Sequence, residues 1–491
     1  MLSDVQPATA LPQRASQLSA RGHRCGYANW IARPRYSGFM LVNSYIQHSC
    51  TVNEHRFVVP LDHRKTLNAP ASTPQTLEMI EIFAREVIRP GGEDLPYLVY
   101  LQGGPGFGAP RSGDFRDGWL GRLLDDHRLV LLDQRGTGQS GRLDARSLVE
   151  SGRFDNPDGS INDQALADYL MLFRQDQIVW DAEHVRRELA GDAQWSTLGQ
   201  SFGGFITTAY LSLAPEGLEK SLITGGLPGL THVDEIYRRT YAATAKRNQT
   251  YFSRYASDER TIREIAAHLR DTEELLPTGE RLSPARFRMI GMGLGTTTRT
   301  DMLHYLLEGP WTTVRGRRRL SHQFLEGIAA EIAGTPMYAV LHETIYAGAT
   351  PDLAGTTTNW SADRLAEEIP GFAKDADPLD ESEPYYLTGE HMMRRFFDED
   401  PFLRPFAKAC DILATRTDWP AVYIPEVLTQ NTVPVAASVY YDDMFVPREL
   451  SLDTAATIRG ARTWITNEYQ HDGLRASGTN VIDHLFKLVR D

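Results

Sequence analysis

The sequence predicts an α/β fold: a mainly parallel sheet with helices on both faces and a helical block inserted into it. Three observations carry this. Short apolar runs alternate with helical stretches between residues 97 and 224. The β signal then fades from about 230 to 425, and two further strands appear near the C-terminus. Alternating strands and helices imply parallel pairing, since a parallel connection needs a crossover.

In chain order, His55–Pro60 (HRFVVP) and Leu77–Ile88 (LEMIEIFAREVI) read as strands, with a proline-containing loop between them. Tyr97–Leu101 (YLVYL) and Arg128–Leu132 (RLVLL) are apolar throughout, as strands buried on both faces are. Helices are expected over Asp163–Arg174 and Gln177–Leu189. Next come a strand over Gln194–Leu198, a helix over Phe202–Leu213 and a strand over Leu218–Thr224. In the insertion, Val233–Tyr255, Asp258–Leu269, Ser283–Met292, Ser321–Ala333 and Ser361–Glu368 read as helices, several opening on a Ser or Asp. Strands return at Val433–Tyr440 and Thr463–Ile465, and a helix closes the chain over Val481–Val489. The expected division is 50–229 and 429–491 for the sheet domain and 230–428 for a helical cap. Residues 1–49 are expected as a disordered extension: Arg14, Arg21, Arg24, Arg33 and Arg35 lie among Ser, Ala and Gln. Met40 is then a candidate working start, and an organelle-targeting segment is the alternative.

Composition narrows the function. The chain is 41% hydrophobic and 23% charged over 491 residues, enough to bury a core without disulfides. A net charge of −13 argues against nucleic acid and anionic membranes as partners. No apolar run is long enough to span a bilayer. Three cysteines, Cys25, Cys50 and Cys410, suggest a reducing, cytoplasmic setting. No zinc-type spacing is present and no cofactor or metal is expected. GTGQSG lacks the Lys-Ser/Thr ending of a phosphate loop.

The chemistry centres on Gly199-Gln200-Ser201-Phe202-Gly203, a GxSxG between a strand and a helix. In the α/β-hydrolase fold such a serine sits on a sharp strand-to-helix turn, and the acid and histidine follow it in chain order. The acid belongs after a late strand, where Asp442 and Asp443 both lie. Asp443 is preferred because Asp443-Met444-Phe445-Val446-Pro447 has the D-x-x-V-P form of the turn that follows the acid in relatives. The histidine belongs after the next strand, in Asn467–Gly473, which contains His471; His484, within the last helix, reads as structural. Oxyanion donors are expected from the amide of Phe202 and from Gln102-Gly103-Gly104-Pro105-Gly106, with Gly104 preferred to Gly103.

Gly103-Gly104-Pro105-Gly106, Asp133-Gln134-Arg135-Gly136-Thr137-Gly138-Gln139-Ser140 and Gly199–Gly204 together resemble the prolyl aminopeptidase (proline iminopeptidase) family, in its longer bacterial type. The resemblance covers about residues 50–230 and 430–491. Gln102 departs from it, since shorter members have histidine there. It implies a serine exopeptidase with a helical cap that takes peptides with an N-terminal proline. The alternative is another serine α/β-hydrolase, a broader aminopeptidase or an esterase. It also implies cap glutamates that bind the substrate amine. Glu343, beside Tyr338 and Tyr346, and Glu390, beside Tyr385 and Tyr386, are the candidates. A homo-oligomer is possible on sequence alone.

Overall fold

The computed structural model describes residues 38–67, 77–111, 115–332 and 336–490. Among them are eleven strands: β1 (Phe39–Gln47), β2 (Cys50–Pro60), β3 (Met79–Ile88), β4 (Tyr97–Leu101), β5 (Arg128–Asp133), β6 (Trp195–Gln200), β7 (Leu218–Thr224), β8 (Trp311–Val314), β9 (Arg317–Leu320), β10 (Val435–Tyr440) and β11 (Ala461–Thr466). Nine form one sheet in the order β1-β2-β3-β5-β4-β6-β7-β10-β11. The pairs from β1 to β5 through β2 and β3 are antiparallel, and the pairs from β5 to β11 are parallel.

The apolar runs are explained by burial on both faces. Successive side chains of a strand point to opposite faces. Val99, Leu101, Val130 and Leu132 enter one core cluster, with helices Gln175–Ala190 and Phe202–Leu213. Leu98, Tyr100, Leu129 and Leu131 enter the other, with helices Gly118–Leu124 and Asn480–Arg490. Between β7 and β10 the chain is mostly helical. It includes Val233–Arg254, Ala256–Asp271, Pro336–His342, Ser361–Ala366 and Ala407–Thr415.

Three expectations need correction. The extension expected over 1–49 is ordered in its last part, because β1 pairs antiparallel with β2, and Met40 is the second residue of that strand. Most β1 side chains remain exposed, so its backbone ladder rather than an apolar face makes it a strand. Residues 1–37 lie outside the described residues. The helix expected over Ser283–Met292 is α-helical only over Pro284–Phe287 and continues as a 3₁₀ segment to Gly295, where Gly291, Gly293 and Gly295 weaken helix propensity. The β8–β9 hairpin was not expected within a helical block.

Candidate active site

The loops that matter all leave the C-terminal ends of parallel strands, where open α/β sheets place their sites. Ser201 follows β6, near the middle of the sheet, and opens the helix Phe202–Leu213. Its φ of 55° and ψ of −125° are strained for a side chain other than glycine. The close approach around it demands the neighbouring glycines: a Cβ on Gly199 would collide with the carbonyl of Gly203, and one on Gly203 with the carbonyl of Leu101. This is the physical content of the GxSxG spacing.

His471 Nε2 lies 2.8 Å from Ser201 Oγ, and His471 Nδ1 lies 2.7 Å from Asp443 Oδ2. A carboxylate only accepts, so Nδ1–H donates to Asp443 and Nε2 is left to accept the serine proton. Asp443 is buried, and its other oxygen accepts the amides of Phe445 at 2.8 Å and Val446 at 3.0 Å. Asp442 points elsewhere, to Lys246 Nζ at 2.7 Å. The histidine loop is held from the insertion. His471 N donates to Gly295 O at 3.1 Å, the Asp472 carboxylate accepts from Thr297, and the Phe445 ring meets the imidazole edge-on at 5.1 Å. His484 lies apart from this group, stacked on Trp464 at 4.0 Å.

The glycine loop after β4 presses against the serine. A Cβ on Gly103 would come within 2.8 Å of Ser201 Cβ, and Gly104 has a φ of +130°. Gln134 Nε2 holds the Gln102 carbonyl at 2.8 Å, and Asp133 accepts the amides of Ala109 at 2.9 Å and Gln139 at 2.8 Å. The DQRGTGQS stretch therefore shapes this loop. Gln102 itself accepts from the Tyr100 hydroxyl at 3.2 Å.

Ser201, His471, Gly103 and Gly104 open on a cavity of about 370 Å³, whose wall from the insertion includes Tyr338, Glu390 and Met392. The two glutamates named from sequence separate here. Glu390 lines the cavity and accepts from the Tyr338 hydroxyl, with His342 Nε2 3.5 Å away. Burial alone would raise its pKa. His342, the tyrosine hydroxyl and the charge of His471 outweigh this and hold it below the usual glutamate value. Glu343 does not line that cavity. Its Oε1 accepts the Trp360 amide at 2.8 Å, tying down a turn, and burial pushes its pKa up to about 7.

The aromatic partners are also reassigned. Tyr338, His342 and Tyr346 fall at i, i+4 and i+8 of one helical stretch and so share a face, with ring centroids 5.2 Å and 5.8 Å apart. Glu343 falls off that face. Tyr338 thus belongs with Glu390, whereas Tyr385 packs under Arg288 and Tyr386 accepts from Gln249. Helical spacing was the sequence signal that separates the two glutamates. Phe107, whose ring lies 5.7 Å from that of Tyr338, carried no such signal.

His471 has its proton affinity raised on balance. Burial disfavours the imidazolium, but the charge and hydrogen bond of Asp443 and the charge of Glu390 prevail, with Arg475 opposing them.

Residues 96–266 match the family model of the alpha/beta hydrolase fold. The chain is 37% identical over 452 residues to a proline iminopeptidase of Aeromonas sobria, covering 91% of this chain and 98% of that one. It is 29% identical to a proline iminopeptidase of Aspergillus aculeatus, over 90% of this chain and 94% of that one. Among solved structures, the 2-hydroxy-6-oxo-6-phenylhexa-2,4-dienoate hydrolase of Rhodococcus sp. strain RHA1 matches at 13% identity and a TM-score of 0.38, over 84% of this chain and 95% of that one. The fold is that of the α/β-hydrolases, and the similarity to the Aeromonas enzyme spans nearly the whole chain: the protein belongs to the proline iminopeptidase family.

Proposed function

We propose that the protein releases an N-terminal proline from peptides through Ser201, His471 and Asp443, with the segment 230–428 acting as a cap over the sheet domain. The observation that carries this reading is the anionic Glu390 in the same cavity as Ser201. An exopeptidase has to bind a charged amine one residue from the bond it cuts, and a carboxylate supplies the charge-assisted hydrogen bond. A neutral ester offers nothing for that carboxylate to bind.

In the proposed mechanism the proline amine binds Glu390, and its ring lies among Tyr338, Met392 and Phe107. Ser201 Oγ attacks the carbonyl carbon while His471 Nε2 takes its proton, and Asp443 stabilises the imidazolium. The amides of Phe202 and Gly104 receive the negative charge of the tetrahedral intermediate. His471 then gives its proton to the leaving nitrogen. Water, deprotonated by the same imidazole, cleaves the prolyl-serine ester. No cofactor enters this scheme. Glu343, outside this cavity, holds the Trp360 turn instead of an amine.

Chromogenic proline, alanine and ester substrates assayed side by side test the reading. Proline is expected to be cleaved fastest, and Ser201→Ala to lower that rate by on the order of 10⁴–10⁶. An ester turned over faster than any amino-acid amide would replace the aminopeptidase with a general esterase.

A further inference from the structure

Three arginines line the cavity: Arg286, Arg299 and Arg475. Two of them are neutralised in place. Arg286 is buried and donates to Glu280 at 3.1 Å and to Asp400 at 3.0 Å, and Arg299 is paired with Glu331. Arg475 differs. It is exposed at the cavity wall, and its guanidinium has no carboxylate partner among the described residues. The nearest acid along the chain, Asp472, is occupied by the amide and hydroxyl of Thr297, each at 3.1 Å. A cation left unpaired beside a reactive centre, in a chain of net charge −13, needs an explanation.

Its position supplies one. Arg475 lies on the short helix Gly473–Ala476, which follows His471 directly and packs against the helix Gly118–Leu124 of the sheet domain. Glu390 and Tyr338 line the same cavity from the insertion. In acyl transfer the histidine protonates the leaving nitrogen, so the leaving chain starts next to His471. If the amine of proline sits at Glu390, the residue after the cut bond runs towards Arg475. Both charges act on the imidazole: Glu390 raises its proton affinity and Arg475 lowers it.

We infer that Arg475 is a specificity residue for the leaving side, binding a carboxylate carried by the residue after proline. This rests on the activity proposed above. The carboxylate has two sources: the C-terminus of a Pro-Xaa dipeptide, or the side chain of an acidic residue at that position. A guanidinium–carboxylate contact at an exposed wall is worth little, so the expected preference is about two- to fivefold in kcat/KM and screened by salt.

The test compares kcat/KM for Pro-Gly with Pro-Gly-amide, and for Pro-Asp-amide with Pro-Asn-amide, in the full chain and in Arg475→Gln and Arg475→Lys, at low salt and at about 0.5 M NaCl. The wild type is expected to favour the carboxylate member of at least one pair. The first pair reports the chain terminus and the second the side chain. Salt should shrink the preference, the glutamine should erase it and the lysine should keep part of it, a pattern that a merely structural role for Arg475 would not produce. Equal rates within both pairs in the wild type, or a preference unchanged in Arg475→Gln, overturns the inference. Proline-β-naphthylamide carries no carboxylate, so failure to cleave it would overturn the activity reading instead.

Discussion

The sheet domain and the helical insertion both line the cavity at Ser201, and they encode it differently. On the sheet side, positions are fixed locally. Ser201 must stand where β6 turns into a helix, because the backbone there permits only glycine on either side of the packed turn. Asp443 and His471 follow β10 and β11 by a few residues, and neighbouring parallel strands bring their loops together. On the inserted side helical spacing sets Glu343 off the face of Tyr338, but only long-range packing brings Glu390 to that face. Glu343 and Glu390 both sit near tyrosines in the chain, yet one faces the serine and the other holds a turn. Local geometry is readable where a motif is a backbone constraint; long-range packing is not.

The largest expected effect lies on the sheet side. Asp443→Asn should lower kcat by about 10³–10⁴, since an asparagine favours the wrong imidazole tautomer. Asp442→Asn, which loses only a surface ion pair with Lys246, should change kcat less than twofold. Steady-state kinetics on both variants checks this. Comparable losses would mean that the acid is not the one hydrogen-bonded to His471.

On the inserted side the expected losses are smaller and unequal. Glu390→Gln should cost about ten- to a hundredfold in kcat/KM for proline substrates, the worth of one charge-assisted hydrogen bond. Glu343→Gln should cost almost nothing. Equal losses from the two would break the contrast between them.

The pH profile joins the two halves. A raised proton affinity at His471 places the acid limb of kcat/KM above the free imidazole value of about 6.5. The neutral base is present above that limb and is lost as the pH falls through it. Removing the Glu390 charge should move the limb to lower pH, because that carboxylate stabilises the imidazolium. A limb that stays in place in Glu390→Gln would show that the two groups do not interact.

The smallest effect concerns stability. Burial raises the Glu343 pKa from 4.5 to about 7. The protonated carboxyl is compatible with the fold, and that advantage is lost as the pH rises from about 4.5 through 7. A glutamine there avoids burying a charge. Glu343→Gln should therefore raise the thermal midpoint at pH 8 more than at pH 5, by on the order of 1–2 kcal/mol of added stability at the higher pH. A lower midpoint at pH 8 would mean that the carboxylate is needed as an anion.

The same contrast explains what the sequence revealed. The strands β4 to β7, the serine turn and the late acid and histidine were legible because each rests on apolar runs, glycines or chain order. The structure brings His471 within hydrogen-bonding distance of both Ser201 and Asp443. β1 was not legible, because its stability comes from pairing with β2 rather than from an alternating face. Within the insertion, helix periodicity would have put Tyr338 and His342 on one side and Glu343 on the other. Nothing short of the folded chain brings Glu390, 52 residues after Tyr338, to its hydroxyl.

In the proposed reaction a triad on the sheet domain cuts the amide bond next to a free amine held by the insertion. The most direct measurement is kcat/KM for proline-β-naphthylamide against its N-acetylated analogue, in the wild type and in Glu390→Gln. The account predicts that the free amine is strongly preferred by the wild type and that Glu390→Gln loses about ten- to a hundredfold of that preference. Equal cleavage of the acetylated and free substrates by the wild type would contradict it.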